Sequence, residues 1–344
     1  MASGKGGGRS RVTADDVARE AGVSISAVSR VFTPGASASS KMRAKVLAAS
    51  ERLDYMPNAM ARSLMTNRTN LIGIIMANFK NPVYLSILDS FTHAIQQRGL
   101  RSLLFNVSHG DDLEGSVRQI MEYSIDGLIV SAASMSPLLS EQCRRRDIPL
   151  VVFARHPRNV KANVVTADNI AGGRMAARLL IERGYRRMAY IGGPETISTS
   201  RDRGLGFDQA LEEAGLAPAM RVNAADYGYD EGHEAVDRLF AGGDRPEAIF
   251  CVNDILAMGV MDALRYDFGL KIPDDIAVVG FDDIHLAGTK PYQLTTIRQP
   301  IDAMVRESID ILTDQPGKGD EAPVTRMLPC TVVERGTVRK SGTT

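Results

Sequence analysis

The sequence is short of several things. It has no tryptophan, an aromatic fraction of 6% and only 3 cysteines in 344 residues. Cys143, Cys251 and Cys330 are far apart, each in an apolar or mixed stretch. An odd count at that spacing argues against a disulfide framework and against a cysteine metal site. It reads as small buried hydrophobes in a reducing compartment. The histidines, His93, His109, His156, His233 and His285, show neither metal-ligand spacing nor a partner at catalytic spacing. No apolar run approaches the roughly 20 residues of a membrane span. The start, 1–11, is basic and glycine-rich without an apolar centre, so it reads as a flexible tail and no signal peptide. No strand precedes those glycines, which excludes a phosphate-cradling loop, and no nucleophile elbow or P-loop follows. Arg203-Gly204-Leu205-Gly206 runs into Phe207 within a helical pattern, which makes it a small-residue packing face and no dinucleotide fingerprint. The expectation from these absences is a cytoplasmic protein with no metal, cofactor or membrane partner, and not an enzyme.

Net charge is also missing, since 41 Lys and Arg balance 41 Asp and Glu. The balance hides a split. Residues 1–68 carry 11 basic and 5 acidic side chains, a net of +6, and the remainder carries 30 and 36, a net of −6. A basic head on an acidic body fits a nucleic-acid reader attached to a body that does not touch nucleic acid.

The head holds a patterned stretch, Val12 to Phe32. Thr13 is placed to cap a helix, with Asp16 three residues on as the partner of a capping box. Val17, Ala18 and Ala21 form a narrow apolar stripe. Gly22 lets the chain leave sharply, and Ser24 caps a second helix with Val28 and Val31 inward and Ser26, Ser29 and Arg30 outward. Two helices at a tight Gly turn form a helix-turn-helix, whose second helix fits a major groove. The alternative is a pair that only packs in a bundle. After a Pro-Gly loop, Ser39 caps a third helix reaching about Leu53, with Val46, Leu47, Ser50 and Leu53 as its core stripe. Lys41, Arg43 and Lys45 at its start suit phosphate contacts.

The run Val-Thr-x-x-Asp-Val-Ala-x-x-Ala-Gly-Val-Ser-x-x-x-Val-Ser-Arg-Val closely resembles the N-terminal signature of the lactose-repressor (LacI/GalR) family of bacterial transcription regulators. The resemblance implies a repressor that binds a pseudo-palindromic operator in double-stranded DNA as a homodimer under control of a small-molecule effector, a sugar or sugar derivative. It implies base reading by Ile25, Ser26 and Arg30, the first two at positions that vary within the family. An Arg can donate bidentately to guanine. Ala27 and Met42 stand where the family usually has Thr. Tyr55-Met56-Pro57-Asn58-x-x-Ala61-x-x-Leu64 resembles the family's hinge helix, which folds on the operator and wedges a leucine, here Leu64, into a base step. An ordinary linker with Leu64 buried is the other reading. The DNA-contacting set is then Thr13, Ser24, Ile25, Ser26, Ser29, Arg30, Tyr55, Asn58, Ala61 and Leu64.

From Leu71, short apolar runs alternate with amphipathic stretches, the mark of buried parallel strands between helices. The expected strands include Leu71–Ala77, Gly127–Ser131, Met188–Gly192, Val222–Asp226 and Ala277–Phe281, with a helix over Arg203–Ala214. The fold class is α/β: a three-helix helix-turn-helix head and hinge helix, then a two-lobed, doubly wound body that resembles periplasmic sugar-binding proteins. The parts are a tail (1–11), a head (12–56), a hinge (57–69) and a body (70–344). Its N-lobe is about 70–167 plus 298–328 and its C-lobe about 168–296 plus 329–340.

Ligands of open α/β sheets bind beyond the carboxyl ends of strands. Polar and aromatic groups at those ends are Phe79, Tyr84, Arg155, Thr199, Arg203, Tyr227, Asn253 and Asp282. Arg203 offers a planar fork, Asp282 can accept two hydroxyls, and the aromatics can stack on a flat ligand. The resemblance matches Arg203, Asp282, Asn253, Tyr227 and Tyr84 to the family's effector residues. It also shows one departure: Ala154 stands before Arg155 where many sugar-responsive members have Asp or Asn, so a hydroxyl ligand is lost. For each residue the alternative is a helix cap or a salt bridge near a strand end. The chain ends without leucine heptads, which favours a dimer. A solute-binding protein would explain the body but not the basic head. An α/β enzyme with a DNA-binding appendage would need a nucleophile or base pair that the cleft does not offer.

Overall fold

Local capping sets the first three helices. The computed structural model describes residues 12–33, 35–56, 68–107, 113–131, 137–157, 160–314 and 322–340. The chain divides into two units, Met1–Asn70 and Leu71–Thr344. In the first, α1 (Ala14–Ala21) opens on a capping box. Asp16 N–H donates to Thr13 Oγ1 at 3.4 Å, and Thr13 N–H donates back to Asp16 Oδ2 at 3.0 Å. Gly22 ends α1 in the left-handed region, φ 64°, which a side chain would strain. Ser24 caps α2 (Ile25–Phe32) by accepting from Ala27 N–H at 3.2 Å, and Ser39 caps α3 (Ser40–Arg52) by accepting from Met42 N–H at 3.3 Å.

The head core is Val17, Ala18, Ala21, Val28, Val31, Val46 and Ala49, ringed by Met42, Leu53 and Tyr55 among others. One expectation is corrected here. Leu47 is 47% exposed, and Ala49 lies inside instead. Leu47 follows Val46, and adjacent helical positions lie about 100° apart around the axis. The inward row of α3 is therefore Met42, Val46, Ala49, Ser50 and Leu53.

Among the described residues the body contains two six-stranded sheets. Sheet one has the order β11-β5-β4-β3-β1-β2 and sheet two β12-β10-β9-β8-β6-β7. The strands are β1 (Leu71–Met76), β2 (Arg101–Asn106), β3 (Gly127–Ser131), β4 (Leu150–Phe153), β5 (Asn163–Ala167), β6 (Met188–Gly192), β7 (Met220–Asn223), β8 (Ala248–Cys251), β9 (Ala277–Asp282), β10 (Thr295–Arg298), β11 (Thr325–Leu328) and β12 (Thr331–Val333). Every pairing is parallel except β10 with β12. The central strands β3, β6, β8 and β9 are buried along their whole length, as continuous apolar runs covered on both faces must be. Helices α4 (Pro82–Gln97), α5 (Leu113–Met121) and α6 (Pro137–Arg145) follow the first sheet's strands. Helices α7 (Asn169–Glu182), α8 (Ser198–Glu213), α9 (Tyr229–Phe240) and α10 (Asp254–Asp262) belong to the second, and α11 (Ile301–Asp314) returns to the first. The chain therefore crosses between lobes after β5, after β10 and after β11. The α/β fold class read from the sequence is the fold observed.

Helices α7 and α8 cross at backbone contact. A Cβ on Gly173 would overlap the carbonyl oxygen of Arg203, and one on Gly206 that of Ile170. This close crossing fixes the height of α8, and with it the place of Arg203, against the second sheet.

Of the boundaries that differ from expectation, two concern the site. Helix α8 begins at Ser198, five residues before the expected start, so Thr199 and Arg203 are one turn apart on a single helix face. Strand β7 ends at Asn223, and Tyr227 sits in the loop leading to α9 rather than on the strand end.

Candidate functional site

At the carboxyl ends of the body strands, Arg203 and Asp282 form the centre. Arg203 is 4% exposed and Asp282 5%. The guanidinium donates from Nε to Asn169 Oδ1 at 2.8 Å and from Nη1 to Val252 O at 2.6 Å, lies 3.5 Å from Asp282 Oδ1, and stacks 3.5 Å above the Phe281 ring. Asp282 Oδ1 also accepts from Gln299 Nε2 at 2.7 Å. Burial pushes this carboxyl up to about 6, against the downward pull of Arg203, Gln299 and Asn81. Asp282 and Asp283 both have left-handed φ, 116° and 59°, a region Asp visits more readily than most residues.

Beneath this turn lies Asp254, fully buried at the first position of α10. It accepts from Thr296 Oγ1 at 2.5 Å and from Ile284 N–H at 2.9 Å. Burial, and then the nearby Asp282 charge, raise its carboxyl well above the usual range. Asp283 turns away and pairs with Arg298 at 2.6 Å and Arg335 at 2.5 Å.

The remaining cleft residues surround that centre. Tyr227 is nearly buried, and its hydroxyl is 3.4 Å from Thr199 Oγ1. Burial raises its phenol. Thr199, Arg155 and Arg203 oppose the shift and Tyr84 adds to it, so these side chains from both lobes act on one group. Phe79 and Tyr84 are half-buried and pack on the core from the N-lobe side. His156 N–H donates to Ser198 Oγ at 3.0 Å, a direct link between the lobes. Asn253 is different: its Oδ1 accepts from Leu256 N–H at 2.9 Å and its Nδ2 donates to Tyr227 O at 3.1 Å. It is a buried helix cap that positions Tyr227.

Three more polar residues stand at the centre: Asn81, which the sequence places after the first strand, and Gln299 and Asn169, which escape the sequence reading. Asn81 caps α4 through Val83 N–H at 3.1 Å and faces Asp282 from the other lobe. Gln299 lies on the crossover after β10, and Asn169 at the start of α7. Asn81 is legible as the polar residue of the Asn-Pro pair after the first strand, and nothing local marks Gln299. Among the described residues no group of three His, Cys, Asp or Glu is arranged to hold a metal, and no helix is long and apolar enough to cross a membrane.

In the head, Ile25 is 52% exposed, and Ser26 and Arg30 are also exposed. Arg30 makes no ion pair or side-chain hydrogen bond among the described residues. Ala27 is buried, so the methyl that replaces the family's usual Thr faces inward. Thr13 and Ser24 are occupied as caps, Ser24 also bonding Ser26 Oγ at 2.9 Å, and Ser29 is half-buried. The Tyr55 ring packs 6.0 Å from Phe32 at the edge of the head core. Asn58, Ala61 and Leu64 lie outside the described residues, as do the tail 1–11 and His109.

Comparison with known proteins agrees with this division. Residues 13–58 match the model of bacterial regulatory proteins of the lacI family, and residues 177–338 match a periplasmic binding protein-like domain. The chain is 35% identical over 304 residues to the ribose operon repressor of Escherichia coli (strain K12), covering 87% of this chain and 92% of that one. It is 32% identical to the HTH-type transcriptional repressor PurR of Photobacterium profundum, covering 94% and 98%. The lac repressor dimer bound to operator and the anti-inducer ONPF superposes with a TM-score of 0.85 at 26% identity, covering 95% of this chain and 99% of that one. These relatives are repressors rather than enzymes. The chain belongs to the LacI family of bacterial regulatory proteins, as a transcriptional repressor with a helix-turn-helix region and an effector-binding body.

Proposed function

We propose that the chain binds a pseudo-palindromic operator as a homodimer and that a sugar or sugar derivative in the body cleft controls that binding. The working parts are the reader 12–56, the hinge 57–69 and the body 70–344, with the lobes as bounded above. The carrying observation is the second helix of the head, which buries Val28 and Val31 and presents Ile25, Ser26 and Arg30 outward on a basic unit. The ribose operon repressor among the relatives, and the lac repressor dimer on its operator among the structures, support the same reading.

Within it, Arg30 donates to a guanine, while Ile25 and Ser26 select the neighbouring bases. Thr13, Ser24 and Ser29 meet the backbone. Tyr55, Asn58 and Ala61 carry the hinge into the minor groove, and Leu64 is its wedge. In the body, Arg203, Asp282 and Thr199 hold hydroxyls, and Phe79, Tyr84 and Tyr227 flank the ligand. Arg155 closes the N-lobe side, and Asn253 keeps Tyr227 in place.

Selection from a random duplex pool by the full chain tests this. The expected winner is a pseudo-palindrome, bound with steep salt dependence. Arg30→Ala should weaken its binding by about 1–3 kcal/mol and relax preference at one base pair in each half-site. A selected pool no different from the starting pool would refute the proposal.

A further inference from the structure

The charges of the cleft do not balance. Among the expected ligand residues Asp282 is the one carboxylate, set against two arginines, Arg203 beside it and Arg155 on the N-lobe side. Arg203 has its charge balanced by Asp282 and donates from Nε to Asn169 and from Nη1 to the Val252 carbonyl while stacking on Phe281. Asp282 is in turn engaged with Arg203 and Gln299, and Asp254 below it with Thr296 and the Ile284 amide. Arg155 is left over. It is half-buried and makes no ion pair or hydrogen bond among the described residues, yet its charge acts on the Tyr227 phenol and so reaches the ligand space.

The backbone on both sides of Arg155 is fastened. Ala154 is left-handed, φ 65°, with its N–H donating to Val165 O at 2.8 Å and its carbonyl accepting from Thr166 Oγ1 at 3.3 Å. Its methyl can give Arg155 neither a charge nor an acceptor. His156 N–H is held by Ser198 Oγ, which ties this segment to the first turn of α8. That helix is 16 residues long, and its N-cap, Ile197, provides no side-chain cap. The positive dipole end of that helix therefore lies beside the backbone that carries Arg155. A half-buried cation without a counter-charge is costly. Hydroxyls could satisfy its hydrogen bonds but would leave its charge uncompensated.

We propose that the effector is an anionic polyol: a small hydroxylated molecule carrying one carboxylate or phosphate, with the acidic group on Arg155 and hydroxyls on Arg203 and Asp282. The proposal rests on the cleft reading above and goes beyond it in ligand class. Carboxylate and phosphate make the same charge-assisted fork with a guanidinium, so the test separates them.

Calorimetric titration of the full chain with ribose, gluconate, ribose 5-phosphate and hypoxanthine, each alone, provides that test, repeated on Arg155→Gln, Ala154→Asp and Tyr84→Ala. At least one of gluconate and ribose 5-phosphate should bind about 10- to 100-fold more tightly than ribose or hypoxanthine, the range expected for one charge-assisted contact. Gluconate alone identifies the carboxylate source, and ribose 5-phosphate alone the phosphate source. Arg155→Gln should remove the advantage. Ala154→Asp should do the same by supplying an internal counter-charge, in a backbone region that Asp tolerates. Thermal melting confirms that each variant is folded. Ribose or hypoxanthine binding as tightly as the better anion overturns the proposal and leaves the cleft reading intact. So does anion affinity unchanged in Arg155→Gln, or no binding by either anion at millimolar concentration. An anion whose binding is untouched by both Arg155→Gln and Tyr84→Ala sits outside the cleft, and that result overturns the cleft reading itself.

Discussion

Replacing Asp282 by Asn tests whether burial sets the charge at the centre of the cleft. The carboxyl's ordinary value is 3.8, and in the folded chain burial pushes it up to about 6. Below about pH 3.8 both folded and unfolded chains carry the proton, so the group costs nothing. Between there and pH 6 the unfolded chain releases it while the folded chain retains it, and stability falls as pH rises. Above pH 6 the loss is complete and constant. A gap of about 2 pKa units corresponds to about 3 kcal/mol, or roughly 6–12 °C in melting temperature for a domain of this size. Asn at position 282 does not titrate and retains an acceptor for Gln299. Melting curves of both chains from roughly pH 4 to 7.5 should therefore diverge in the variant's favour between pH 4 and 6 and then run parallel. Glu141, held down to about 2 by Arg144 and Arg145, titrates in both chains and cancels in the difference, whereas Asp254 loses the upward push of the Asp282 charge in the variant, which shifts the difference further in the variant's favour. Curves that stay parallel throughout the range would refute the reasoning.

Other variants probe the scaffold. Gly206→Ala drives a methyl into the Ile170 carbonyl where α7 and α8 cross, and should destabilise the body by about 1–3 kcal/mol or more, read from its melting temperature. Thr13→Ala removes the α1 cap and should cost the head about 1 kcal/mol, seen as faster amide exchange in residues 14–21 with the body melt unchanged.

The fold was legible where its causes are local. Thr13, Asp16, Gly22, Ser24 and Ser39 act within four residues of where they stand, and each caps as the sequence implies. The strands showed because helices cover both faces of each sheet, which forces continuous apolar runs. Misreadings came where tertiary contact decides. Leu47 looked like core because it is apolar and adjoins Val46, but rotation about α3 turns it outward. Because Ile197 offers no capping side chain, the sequence pattern starts α8 late and hides that Thr199 and Arg203 share one helix face. Asn81 and Gln299 converge on Asp282 from positions roughly 200 and 17 residues away, and no periodicity carries such information. Asn253, which the sequence places at a strand end and matches to the family's cleft amide, hydrogen-bonds the backbone from both ends of its amide.

The most direct measurement is the operator dissociation constant of the full chain, taken with and without a saturating ligand that raises the body's melting temperature. If the cleft governs the head, the constant should change by about 5- to 150-fold, and operator should change the ligand's affinity by the same factor. An operator affinity that stays the same at saturating ligand would contradict a repressor controlled through this cleft.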